Sequence, residues 1–213
     1  MTTKSKETPP AYAVLECPEC GEQYIISAPT DSPSETAILF SDGFYIENDD
    51  MHWRTPLIIG CITCELGFRP EKGKQVATGT FDELLEKFPG IKKAIPPAAG
   101  TLVLDLRARM KMEASEEVAI RREFWYAAQH TDKGRALLQR NKKFGVFYIQ
   151  NLSKLIEIIS TKNEAELLIK AELLRQSEKY NEAILMLQNI TSEKARQIEE
   201  RANAKDSDVF QCK

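Results

Sequence analysis

The pattern of apolar and polar positions changes character along the chain. YAVLEC and QYIISA, around residues 12–17 and 23–28, are short runs of strand formers on either side of a turn-prone segment, and they predict two strands. PTDSPS (29–34) follows as a turn-rich connector. AILF and FYIE flank Ser41-Asp42-Gly43, where Asp-Gly between strand formers predicts a hairpin, and TPLIIG (55–60) predicts a further strand. The region to about Pro70 therefore reads as mostly β. The period then changes: Phe81, Leu84, Leu85 and Phe88 recur at i, i+3, i+4 and i+7, with Thr80 and Glu83 at capping-box spacing and Pro89-Gly90 as a stop, which predicts a short amphipathic helix.

KKAIPPAAG is a breaker-rich link, and LVLDLRARMKM is compatible with a strand running into a helix or with helix throughout. From Ser115 the chain reads as helical. Ser115 with Glu116 and Glu117 suits a helix start, because acidic groups complement the positive end of the helix dipole. Phe144, Tyr148, Leu152, Leu155 and Ile159 form one stripe starting after Asn141. Asn163 and Glu166 open ELLIKAELLRQS, KYNEAILMLQNI follows across a short turn, and a last charged helix begins near Ser192.

Set on this pattern is a repeated device. CPECGEQY (17–24) and CITCELGF (61–68) each carry two cysteines two apart with an aromatic residue four beyond the second. A CxxC turn points two thiolates at one ion while nearby backbone amides donate to sulfur, and two such turns complete a tetrahedron with bonds of about 2.3 Å. Cys17, Cys20, Cys61 and Cys64 are therefore expected to hold one Zn2+. The second turn departs from the first, since Glu65 stands where Gly21 stands. The gap between the pairs is also longer than in short zinc motifs, which implies an enlarged insert. Two redox-active thiol pairs are the alternative, but these call for a thioredoxin-like βαβ setting that the pattern lacks. Four thiolates leave no open position for a substrate and quench Lewis acidity, so the expected role of the ion is to hold the fold. Cys212 has no CxxC partner and is expected to be a free, exposed thiol.

Composition and charge add less. At 213 residues, 42% hydrophobic and 29% charged, the chain belongs with folded globular proteins. The polar start has no apolar signal core and no apolar run is long enough to span a bilayer, so a cytoplasmic protein without membrane contact is expected. The net charge of −3 is unevenly spread: residues 1–91 carry −8 and residues 92–154 carry +7. Arg121, Arg122, Lys133, Arg135, Arg140, Lys142 and Lys143 make residues 121–143 the basic segment. It reads as a solvated helix face, as a surface docking on the acidic half, or as a nucleic-acid patch. The cysteine region is itself acidic, and a tetrathiolate ion adds negative charge, which disfavours phosphate there.

Catalytic groups are sparse. His52 lies in the loop-like NDDMHWR and His130 at a helix end beside Thr131-Asp132. Neither forms a triad pattern, and no P-loop, dinucleotide glycine motif or HExxH is present. In AELLRQSEKYNEAILMLQ, Ala171, Tyr180, Ala183 and Leu187 follow the spacing of one tetratricopeptide hairpin, which serves either as a peptide-binding groove or as a cap on the domain's own core.

Taken in order, CPECG, FSDG, the second CxxC, REFWYAAQ and AELLRQSEKYNEAILML resemble a group of uncharacterised bacterial proteins that join an N-terminal zinc ribbon to tetratricopeptide-like helices. The resemblance covers roughly residues 15–205 and implies the four zinc ligands and a helical packing motif, but no catalytic group. The expected class is α+β: residues 1–11 a flexible tail, 12–70 an antiparallel β zinc ribbon with an enlarged insert, 71–114 a connecting helix and linker, 115–205 a helical domain and 206–213 a C-terminal tail. The expected function is a non-enzymatic adaptor or scaffold with a structural zinc site, acting through protein contacts. The alternatives are a nucleic-acid-associated regulator using residues 121–143, and an enzyme of unknown class.

Overall fold

The computed structural model describes residues 12–27, 37–46, 55–108 and 112–212. The 1–11 tail, the PTDSPS connector and the NDDMHWR segment with His52 lie outside the described residues. The chain divides into two compact units, one of Met1–Thr36 with Glu47–Pro96 and the other of Ala37–Ile46 with Pro97–Lys213. The class is mixed α+β, with eight α-helices and small sheets among the described residues. Among the described residues no helix is long and apolar enough to cross a membrane.

The first unit is built on Tyr12–Glu16 (β1) and Gln23–Ser27 (β2), an antiparallel pair in which Tyr12 faces Ser27 and Glu16 faces Gln23. Tyr12 to Leu15 are all buried rather than alternating, because both faces of this strand are covered. Ala13, Leu15, Tyr24 and Ile26 pack with Cys17, Cys61, Ile59 and Phe68 on one face. Tyr12, Val14 and Ile25 pack on the other against Leu84 of the helix Phe81–Lys87 (α1). That helix starts with both halves of its capping box formed between Thr80 and Glu83. Two short strands, Ile59–Gly60 (β5) and Gly67–Phe68 (β6), pair antiparallel and carry the second cysteine turn.

The expected linker over 71–114 is in large part a component of this unit. Lys74–Gly79 (β7) pairs antiparallel with β1, and Lys92–Lys93 (β8) pairs parallel with β2, completing a sheet in the order β7-β1-β2-β8. KQVATG has no clean alternation, and its register against β1 shifts between Val14 and Leu15, so local pattern did not mark it. The unit closes near Pro96.

The hairpin at Ser41-Asp42-Gly43 forms as expected, between Ile38–Leu39 (β3) and Tyr45–Ile46 (β4), but it does not belong to the cysteine unit. It is a three-residue loop: Gly43 N–H returns to the Phe40 carbonyl and Gly43 takes the left-handed φ of +84° that this turn requires. Residues 37–46 pack with the helices instead, so the insert is not simply an enlargement of the β domain.

Those helices are Ala99–Ala108 (α2), Ala114–His130 (α3), Asp132–Arg140 (α4), Lys142–Ile158 (α5), Glu164–Gln176 (α6), Tyr180–Leu187 (α7) and Glu193–Asn203 (α8). Ala99–Ala108 resolves the ambiguity of LVLDLR in favour of helix. Asn141 and Asn163 cap α5 and α6 through their side chains, and all five residues of the Phe144–Ile159 stripe are buried. Ser115 does not cap α3; Glu113 stands at the cap and Ser115 is within the first turn. Ala171 and Ala183 are fully buried where α6 and α7 pack, since only small side chains let helix backbones approach closely.

One buried ion pair in this unit is met from several sides. Glu172 and Arg175 are both completely buried, and Arg175 Nη2 donates to Glu172 Oε1 at 2.6 Å while Nε donates to Oε2 at 2.9 Å. Arg175 also donates to the carbonyls of Asp206 and Asp208. Ser41 Oγ donates to Glu172 Oε1 at 2.7 Å and Gln176 Nε2 does so at 2.8 Å. Beside it, buried Asp42 pairs with His130 Nε2 at 2.7 Å, and the imidazole stacks on Phe44 with its edge toward Phe40. His130 thus ends α3 as expected, but its ring is committed to the hairpin.

The segment 206–213, expected as a tail, is tied in through its described part. Phe210 exchanges hydrogen bonds with Ser41, Cys212 N–H donates to the Leu39 carbonyl at 2.8 Å, and Phe40 and Gln211 form a bridge. Cys212 is accordingly half-buried rather than exposed, and burial pushes its thiol pKa up. Removing one member of a buried ion pair leaves an uncompensated charge, at a cost of about 3–5 kcal/mol. Glu172→Ala is expected to lose stability of this order, read as a lower urea midpoint of the helical circular-dichroism signal, with Glu172→Gln losing less.

Candidate metal centre

Each cysteine turn is closed by the same backbone bond. Cys17 N–H donates to the Glu22 carbonyl at 2.8 Å, and Cys61 N–H donates to the Leu66 carbonyl at 2.9 Å. The residue after the second cysteine takes a left-handed conformation in both, φ +78° at Gly21 and φ +60° at Glu65. The Gly-to-Glu difference between the two turns therefore leaves the conformation unchanged. It places at Glu65 a side chain in a region that costs about 1–2 kcal/mol for an L-residue.

These turns bring all four predicted ligands together. The sulfurs of Cys17, Cys20, Cys61 and Cys64 lie within 4.8 Å of one another. Cys17 Sγ is 3.7 Å from Cys64 Sγ, and Cys20 Sγ is 3.5 Å from Cys61 Sγ. A tetrahedral ion with metal–sulfur bonds of about 2.3 Å has a sulfur–sulfur edge of about 3.8 Å. A disulfide needs about 2.05 Å, and all four are free thiols. These close approaches run between the two turns, which fits one shared ion better than two separate dithiols. Cys17 and Cys61 are buried, Cys64 is half-buried and Cys20 is exposed, so the cluster sits at the edge of the unit's core.

The surroundings favour negative charge at one sulfur in particular. Burial pushes the Cys61 thiol up, but the backbone N–H groups of Cys64 and Thr63 and the hydroxyl of Tyr24 more than offset this, bringing its pKa down to about 6. Burial dominates at Cys64, whose thiol is pushed up to about 12. At Cys20 the Glu22 backbone N–H favours the thiolate, yet desolvation and the neighbouring thiols leave the pKa raised. An ion held there would supply the positive charge that lets all four become thiolates.

Tyr24 was not foreseen as a supporting group. Its hydroxyl donates to Cys61 Sγ at 3.3 Å and accepts from Ile62 N–H at 2.9 Å, and burial together with the adjacent sulfur raises its pKa. The repeated aromatic four positions beyond each cysteine pair was the available signal: Tyr24 and Phe68 are its two instances, with ring centroids 6.4 Å apart in one core cluster.

Three arginines of the basic segment have partners within the protein. Arg121 is held by Glu117 and Asn151, Arg122 by the Tyr126 hydroxyl, and Arg135 by Asp132 and the Gln129 carbonyl. Lys142 and Lys143 instead line a surface cavity with Arg107. Comparison with protein-family models, curated proteins and solved structures finds no match to the chain.

Two outcomes follow from the centre. Glu65→Gly is expected to stabilise the metal-loaded protein by about 1 kcal/mol, measured as a higher denaturation midpoint at fixed free metal. Metal binding releases the protons still held by the thiols. Near pH 7 Cys61 is already largely ionised and Cys64 is not, so apparent affinity falls as pH falls, and more protons leave per ion below the Cys61 pKa of about 6. Calorimetry in buffers of different ionisation enthalpy is expected to show that increase.

Proposed function

We propose that the chain is a non-enzymatic adaptor in which a zinc ribbon, closed by Cys17, Cys20, Cys61 and Cys64, is joined to a tetratricopeptide-like helical module that works through protein contacts. The observation that carries this reading is the convergence of four thiols, with no other ligand type joining them among the described residues, to within 4.8 Å of one another. A soft, all-sulfur tetrahedral set suits zinc or iron, and four protein ligands leave no position for a substrate, so the ion acts on folding rather than on a reaction. Ala171, Ala183 and Leu187, buried between antiparallel helices, support the helical part, as does the resemblance to uncharacterised bacterial proteins of that organisation.

Among the described residues the one histidine, His130, is packed against Phe40 and Phe44 and bonded to Asp42, which has no exposed surface. A nucleic-acid role draws less support, because three of the arginines in residues 121–143 are engaged within the protein.

Metal analysis of purified protein is expected to give about one zinc per chain, with no visible absorption from iron–thiolate charge transfer, and Cys→Ser at any one ligand is expected to lose the ion and the β circular-dichroism signal. Affinity capture from the native host is expected to retain the same protein partners after nuclease treatment. Absence of zinc refutes the metal part, and capture abolished by nuclease refutes the adaptor part.

A further inference from the structure

The helix α5 is not amphipathic in the usual way. Phe144, Tyr148, Leu152 and Leu155 face the core, yet Val146 and Ile149 on the opposite side are 57% and 63% exposed. Beside them runs a cavity of about 380 Å³ lined by Arg107, Lys142, Lys143, Val146, Phe147 and Gln150. Leu104, one turn before Arg107 on α2, is 65% exposed. The lining thus combines apolar Val146 and Phe147 with three cations, and no carboxylate stands among its described residues. Helix pairs of this kind receive an apolar side chain from a partner helix, and rim charges select the partner's sign.

We propose that this groove between α2 and the first half of α5 docks an acidic amphipathic segment of a partner protein, an apolar side chain meeting exposed Val146 while flanking carboxylates meet Arg107, Lys142 and Lys143. This rests on the adaptor reading and gives it a site and a partner chemistry. Charge complementarity carries the choice of occupant. Two other anionic surfaces fit less well. Base stacking needs an open aromatic face, but the Arg107 guanidinium already lies over the Phe147 ring at 5.1 Å. A bilayer is entered by a protruding apolar edge, whereas this site is concave.

The test is selection of a displayed random-peptide library on the full-length, zinc-loaded protein, with counter-selection on the Lys142→Glu, Lys143→Glu, Val146→Glu triple variant. The substituted side chains are exposed, and acidic residues in the first turn of α5 complement the helix dipole, so the variant is expected to fold. A Lys142→Gln, Lys143→Gln variant serves as the milder control, and circular dichroism checks both.

Enriched peptides are expected to carry carboxylates flanking Leu, Ile, Phe, Met or Trp, to bind the wild-type protein at least about tenfold more tightly than the triple variant, and to weaken with added salt. Enriched peptides without that pattern, or equal binding to the variant, overturn the proposal. So does a single-stranded oligonucleotide or a phosphatidylserine vesicle whose binding is lost in the variant while no peptide is selected. Host partners captured equally by wild type and variant overturn this site while leaving the adaptor reading in place; loss of nuclease-resistant capture by the wild type removes the adaptor reading itself.

Discussion

A charge taken out of water has to be met by an opposite charge or by donors placed for it, and both units of this protein are arranged around that requirement. In the helical unit the carboxylate of Glu172, with no exposed surface, gathers Arg175, Ser41 and Gln176 around itself. Arg175 in turn holds two carbonyls of the following chain and lies over the Phe210 ring. Asp42 claims His130 in the same way. In the cysteine unit the groups in question are thiols, and amides together with the Tyr24 hydroxyl favour the charged form at Cys61; a cation held by all four would supply the positive charge that lets the others ionise. The requirement is met by side chains of the protein in one unit, and the other gathers four groups that could meet it with an ion.

This difference bears on how each unit is stabilised. The helical unit buries Phe124, Trp125, Leu152, Leu155 and Leu173 at 1% exposure or less, a core with large side chains from several helices. Among its described residues the cysteine unit has two central strands covered on both faces, β1 and β2, and other strands as short as two residues. Metal binding by the four cysteines, as proposed, would couple to folding and add stability to such a unit.

What could be read along the chain was whatever is local. Thr80 with Glu83, Asn141 and Asn163 mark helix starts because each bonds a backbone amide within one turn. The stripe from Phe144 to Ile159 marks a buried face because its period is that of a helix. The four cysteines were legible because a CxxC turn already sets two ligands, and the aromatic residue beyond each pair hinted at Tyr24. What escaped was set by distant partners. Nothing within KQVATG announces pairing with a strand some sixty residues earlier. Nothing within FSDGF says that its Asp and Ser will be completed by His130 and Glu172, 88 and 131 positions away. Cys212 looked exposed because its neighbours in sequence are polar, while its neighbours in space are Leu39 and the α6 to α8 core.

The placement of residues 37–46 in the helical unit carries a consequence for synthesis of the chain. The ribosome delivers the hairpin with the first unit, but Phe40, Phe44 and Asp42 find their covers only when α3 has emerged, and Ser41 bonds Phe210 across 169 positions. The strands of the cysteine unit, by contrast, are all made once residue 93 has emerged. In the nascent protein the hairpin therefore stays unfinished until Phe210 has been made, a long-range closure of the kind that slows folding.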